Sequence, residues 1–202
     1  MIHKRIQKAK EIDPGTAWRS RGYLPHFDAE RVTQFITFRL ANSLPRNFLR
    51  TIKFRLDSRQ ITDIEYHREI EKFLDSGYGR PQYLRLESIG NMVVENLLKF
   101  DGHKYSLLHW VIMPNHIQVL LRLMPGFSLA SIMHSIKSYT ANRANRMLGL
   151  TDRFSSVEYF DRYIRNADHF SKTVAYIHAN PVKGRLCDKA EDWVFGSAGR
   201  HE

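Results

Sequence analysis

In the stretch Trp110-Val-Ile-Met-Pro-Asn-His-Ile-Gln-Val-Leu-Leu-Arg122, His116 and Gln118 stand two residues apart, just past a turn at Pro114-Asn115. Side chains alternate along an extended chain, so His116, Gln118 and Leu120 share one face and Ile117, Val119 and Leu121 the other. Two metal-capable groups thus lie side by side on a strand whose reverse face is apolar enough to anchor it. Further on, Tyr176 and Asn180 are four residues apart, the spacing that stacks side chains on one face of a helix. A phenol and a carboxamide aligned this way can serve as a nucleophile and an adjacent metal ligand, while Asn180 before Pro181 also suits a helix end. One imidazole nitrogen with two amide oxygens fits a hard divalent ion, Mg²⁺ or Mn²⁺. Zinc would call for thiolates or a second clustered histidine.

Those four residues need a sheet and at least one helix to bring them together. Val32 to Leu40 is rich in β-branched and aromatic residues and alternates, with Ile36, Phe38 and Leu40 on one side and Thr37 and Arg39 on the other. Residues 45 to 75 look helical with a break near Asp57-Ser58, the second piece running from Asp63 to Leu74, and Gly77-Tyr-Gly-Arg-Pro81 ends this insert. Leu86 to Phe100 carries Leu86, Ile89, Val93 and Leu97 at helical spacing, widened by Val94 and Leu98. Tyr105 to Met113 reads as a strand before the His116 strand, and this order suggests a sheet with its helices on one side. A long helix follows over Ser128 to Leu148, capped by Ser128, with Leu129, Ile132, Ile136 and Tyr139 as its inner stripe. Tyr159 to Arg165 is extended, Asp168 to Ala179 is the last helix, stopped by Asn180-Pro181, and the tail around Asp192-Trp193-Val-Phe195 packs back on the core.

The chain has 202 residues, with 43% hydrophobic content, enough for one core and a single domain over residues 29–202 with its helical insert near 45–80. Residues 1–28 form a basic arm. The net charge of +10 favours a polyanionic partner, nucleic acid before an anionic membrane, because no long basic amphipathic segment concentrates the excess. Trp18, Tyr23 and Phe27 interleave with Arg19 and Arg21, a mixture that could stack on unpaired bases. Lys137, Arg143 and Arg146 of the long helix, and Lys183, are further candidates for the DNA backbone, or solvated charges. One cysteine, Cys187, excludes an internal disulfide and fits a reducing compartment. No signal peptide or membrane span is evident, and cytoplasm is the expected location.

The segments Met113-Pro-Asn-His-Ile-Gln118 and Tyr176-Ile-His-Ala-Asn-Pro-Val-Lys183 resemble the HUH-type single-tyrosine transposases of the insertion-sequence-200-like kind, particularly the REP-associated branch. The likeness extends, in order, through Arg21-Gly-Tyr-Leu-Pro-His26, Phe35-Ile-Thr-Phe-Arg39, His134-Ser-Ile-Lys-Ser-Tyr139 and Glu158-Tyr-Phe-Asp-Arg-Tyr-Ile-Arg165. Only residues 57–79 fall outside it. The resemblance implies an α+β, ferredoxin-like antiparallel sheet with helices packed on it, whose central strand carries the metal pair. It also implies metal-dependent cleavage and rejoining of single-stranded or hairpin DNA through a 5′-phosphotyrosine, with no nucleotide cofactor. On that reading Tyr176 is the nucleophile, His116, Gln118 and Asn180 hold Mg²⁺ or Mn²⁺, and Arg19, Arg21, Tyr23, Lys137, Arg143 and Lys183 contact DNA. Relatives of the simplest kind are dimers that exchange the tyrosine helix, and the REP-associated branch often monomeric, so monomer and homodimer both stand.

Gln118 occupies the place of the family's second histidine, and an amide oxygen is a poorer donor than imidazole to transition metals. Weaker metal binding and reduced cleavage are expected. Ser155-Ser156 stands where relatives often have Trp-Gln, and Arg185 where they have glycine or a small residue. These departures open a second reading, a catalytically impaired DNA-binding protein on the same fold. A third is a ferredoxin-like RNA-binding module.

Overall fold

The computed structural model describes residues 18–20, 25–27, 32–77 and 79–200. Strands Trp18–Ser20 (β1) and Pro25–Phe27 (β2) pair antiparallel with each other. The rest of the expected basic arm, Arg21 and Tyr23 included, together with the Arg19 side chain, lies outside the described residues, so that within residues 1–28 only these two strands are described.

The main sheet holds Thr33–Leu40 (β3), Tyr105–Ile112 (β4), His116–Leu123 (β5) and Ser155–Tyr163 (β6) in the order β4-β5-β3-β6. Every neighbouring pair is antiparallel. Helices Arg46–Asp57 (α1) and Asp63–Asp75 (α2) follow β3, Glu87–Leu98 (α3) precedes β4, Leu129–Leu148 (α4) joins β5 to β6, and Ala167–Lys183 (α5) comes last. Leaving α1, α2 and α5 aside, β3-α3-β4-β5-α4-β6 is the ferredoxin-like βαββαβ arrangement. The fold is thus α+β, with β5 central, as expected.

Register decides which side chains share a face. Arg39 is opposite His116, Thr37 opposite Gln118 and Phe35 opposite Leu120. Ile36, Phe38, Leu40, Ile117, Val119 and Leu121 consequently turn to the other side, where they form the main core with Val93 and Leu97 of α3 and Ile132 and Ile136 of α4. Each such side chain contributes roughly 1.5–3 kcal/mol when fully buried. A buried amide ties the two crossover helices together: Asn96 Nδ2 donates to the Ile136 carbonyl and to Thr140 Oγ1, both at 3.0 Å.

The expectation of helices on one side holds for α3 and α4 and fails for α5. Phe35, Val111, Met113 and Leu120 make the opposite face of the sheet apolar too, and Ile177 of α5 covers them. The C-terminal half of α2 joins it there, with Glu71 Oε1 accepting from Thr37 Oγ1 at 3.4 Å. A capping box at Thr62 and Glu65 starts α2: Thr62 N donates to Glu65 Oε2 at 2.8 Å, and Glu65 N donates back to Thr62 Oγ1 at 3.3 Å.

Two finer expectations are corrected. The last helix does not stop at Asn180-Pro181 but runs to Lys183. Proline removes one donor from the ladder, yet Ile177, Asn180 and Pro181 are all buried and hold this turn in place. Tyr139 is not in the inner stripe of α4: it is 43% exposed, and Thr140 takes the inward position, held by Asn96. The tail does return to the core. Phe195 is buried, its carbonyl accepts from Ile112 N at 3.0 Å, and Ser197 N donates to the Trp110 carbonyl at 3.0 Å. Arg185 stands at φ 55°, a conformation that favours glycine.

Candidate active site

Strand β5 offers His116 and Gln118 to the face covered by α2 and α5, and the four predicted residues do meet there. Gln118 Nε2 donates to the Tyr176 hydroxyl at 3.2 Å and lies 3.4 Å from His116 Nε2. Asn180 Nδ2 donates to Gln118 Oε1 at 2.5 Å. His116, Gln118 and Asn180 are fully buried, whereas Tyr176 is half-buried with its ring edge-on to Phe35, centroids 6.0 Å apart.

The hydrogen bonds orient each group. His116 Nδ1 lies 2.8 Å from Oδ1 of buried Asn115, an acceptor that places the ring proton on Nδ1. The Nε2 lone pair is left facing Gln118 and Asp75. Gly79 makes room for this second layer, since a Cβ there would collide with the Asn115 amide. Gln118 presents its NH₂ to His116 and Tyr176, and spends its carbonyl on Asn180. The amide oxygen of Asn180 is buried without a hydrogen-bond partner.

Two carboxylates from α2 complete the surroundings, and sequence reasoning did not single out either. Tyr176 donates its phenol proton to Asp75 Oδ2 at 2.7 Å, and Asp75 Oδ1 lies 3.2 Å from His116 Nε2. That approach to His116 is close, but Asp75 Oδ1 has no hydrogen-bond partner of adequate geometry. Glu71 stands nearby, its carboxyl pushed above the usual range by burial and only partly drawn back by Arg162. Burial, then Glu71 and Asp75, also push the Tyr176 phenol well above its ordinary value. At neutral pH the phenol is therefore protonated, and its proton already has an acceptor. Asp75 ends a helix inside the unmatched 57–79 segment and is 101 residues from Tyr176. No local spacing could have announced the pairing.

The cations predicted to meet DNA fall in different places. Lys183 is exposed on α5 with its ammonium 5.6 Å from the centroid of the Tyr176 ring, beside the site. Lys137 and Arg143 are on α4, across the sheet. Lys137 is half-buried, donates to the Val157 carbonyl at 2.5 Å, and has its pKa lowered to about 8 by burial, with Glu158 pulling upward and Arg39 and Arg153 downward. It lines a cavity of about 470 Å³ between α4 and β6, with Met133, Phe154 and Tyr159. Arg143 is exposed. His109 and His178 are half-buried and face each other, with His109 Nδ1 3.2 Å from His178 Nε2. Among the described residues no group of three or more His, Cys, Asp or Glu side chains could hold a metal ion, and no helix is long and apolar enough to cross a membrane.

Residues 88–180, from α3 through the site helix to Asn180, match the model of the family described as transposase IS200 like. This part of the chain is similar to the IS200-like transposases. The match includes His116, Gln118, Tyr176 and Asn180, and leaves out α2 with its two carboxylates. A solved structure described as a REP-associated tyrosine transposase bound to a REP hairpin has the same fold, with a TM-score of 0.60 and 19% identity over 89% of this chain and 84% of that one. A crystal structure from Deinococcus radiodurans R1, described provisionally as a transposase, has a TM-score of 0.33 and 10% identity over 80% of this chain and 96% of that one, too low to bear on the fold. No curated protein matches the chain in sequence.

Proposed function

We propose that this chain cuts and rejoins single-stranded or hairpin DNA with Tyr176 as nucleophile, as one of the REP-associated branch. The observation that carries the reading is the meeting of the Tyr176 hydroxyl with Gln118, His116 and Asn180 inside the family-matched segment. The structural neighbour bound to a REP hairpin and the net charge of +10 support DNA as the partner.

The buried, unpartnered Asn180 oxygen and the Nε2 of His116, which faces Gln118 and Asp75, fit a divalent cation, Mg²⁺ or Mn²⁺. Such an ion, when bound, neutralises charge developing on the phosphoryl oxygens. The chain's own residues supply the rest. Phe35 and the Asp75 hydrogen bond fix the phenol's direction. The phenol releases its proton along that bond, the phosphorus–Oη bond forms, the phosphorus–O3′ bond breaks, and the departing 3′-oxygen takes a proton to leave as a hydroxyl. Rejoining reverses these steps, so the bond energy stays in the phosphotyrosine. Lys183, beside the ring, adds positive charge near the scissile phosphate.

One observation favours the second reading, a DNA-binding protein of impaired activity: Gln118 turns its NH₂, not its oxygen, toward His116 and Tyr176. One experiment addresses both. Labelled hairpin DNA with a single-stranded flank is incubated with Mn²⁺ and the wild type, Tyr176→Phe and Gln118→His. We expect a covalent adduct with the wild type, none with Tyr176→Phe, and more with Gln118→His. Salt-sensitive binding without an adduct in wild type or Gln118→His would overturn catalysis and leave the binding reading.

A further inference from the structure

The site sets an imidazole nitrogen against a carboxylate oxygen, a contact that is an ion pair only when the imidazole is protonated. With the His116 ring proton on Nδ1, held by Asn115, Nε2 presents a lone pair. Asp75 Oδ1, a carboxylate oxygen, lies 3.2 Å from it with no donor between. Asn180 Oδ1 is a third lone-pair atom, buried and unpartnered. A cation shared by His116 Nε2 and Asp75 Oδ1 would satisfy both, and Asn180 offers a further unpartnered oxygen. Ligands at adjacent corners of an octahedral ion are about 3.0 Å apart when each bond is about 2.1 Å, close to the separation observed.

Resting on the function proposed above, we propose that Asp75, brought in by the helical insert, is a metal ligand that makes up for the histidine lost at Gln118. His116, Gln118 and Asn180 are all neutral as ligands, so a divalent ion among them would keep its full charge in a largely buried site. Charge removed from water without a counter-charge is costly. Asp75 supplies that counter-charge through Oδ1 while Oδ2 holds the Tyr176 phenol. One carboxylate thus links cation to nucleophile. Gln118 is then chiefly a positioning residue, joining Asn180 to Tyr176.

Mn²⁺ binding to the full chain, without DNA, tests this by titration calorimetry, with melting curves confirming that each variant is folded. Asp75→Asn keeps the shape and removes the charge. We expect it to weaken Mn²⁺ binding at least tenfold, by analogy with the 10–100-fold losses that follow changes around metal sites. Asp75→Glu should keep part of the affinity, and Gln118→His in the Asp75→Asn background should restore it. Unchanged Mn²⁺ affinity in Asp75→Asn, or no Mn²⁺ binding by the wild type, would overturn the assignment. If Asp75→Asn is unfolded, Asp75→Glu decides by keeping or losing affinity relative to Gln118→Ala: equal losses count against a ligand role. The adduct assay is independent. A Tyr176-dependent adduct with Asp75-insensitive metal binding sinks only this inference, and absence of any adduct sinks only the catalytic reading.

Discussion

Among single residues, the tyrosines differ most in what their burial does. Tyr105 is fully buried with its hydroxyl donating to the Leu97 carbonyl at 2.6 Å, and burial followed by the charge of Asp101 raises its pKa to about 12. A group whose pKa is higher folded than unfolded stabilises fully below its unfolded value, here about 10, and loses that contribution as pH rises toward 12. Denaturant melts between pH 9 and 12 should therefore show stability falling by about 2–3 kcal/mol from this residue, with Tyr105→Phe flattening the fall. An unchanged slope in Tyr105→Phe would show that other groups dominate. Tyr176 adds to the same fall, since its phenol is also raised. At this scale the sequence was informative where period alone decides facing, as at His116 and Gln118. It misled at Tyr139, where a stripe of one residue every three or four leaves two candidates for the same inward slot. Thr140 fills the slot because Asn96, on a different helix, offers it a hydrogen bond.

At the scale of elements, strands and helices followed from alternation, helical spacing and caps, but which helix covers which face did not. The position of α2 depends on contacts with strands far along the chain, so its Asp75 looked like any charged residue at a helix end. Leu74, adjacent to Asp75 and 1% exposed, anchors that last turn. Leu74→Ala should lower stability by about 2–5 kcal/mol, the usual range for emptying a core leucine site. It should also reduce adduct formation at temperatures where the chain is still folded, because Asp75 loses its fixed place. Full adduct yield in a measurably destabilised Leu74→Ala would mean that α2 does not need to be held for the chemistry. The extension of α5 through Pro181 is a similar case: proline in a sequence argues for a stop, yet burial of the turn outweighs one missing hydrogen bond.

For the whole molecule, the charge excess predicts how DNA is held. Hairpin affinity should fall linearly on a logarithmic salt scale, and Lys183→Gln should reduce the slope by about one if that ammonium meets a phosphate. An unaltered slope would assign the contact to other cations. The sheet itself has a further consequence. Ile117, Val119 and Leu121 sustain the fold from one side of β5, while His116 and Gln118 line the proposed site on the other, so a substitution at the proposed site can leave the shape intact. A strand with two separable faces thus lets the proposed chemistry change without the fold changing with it.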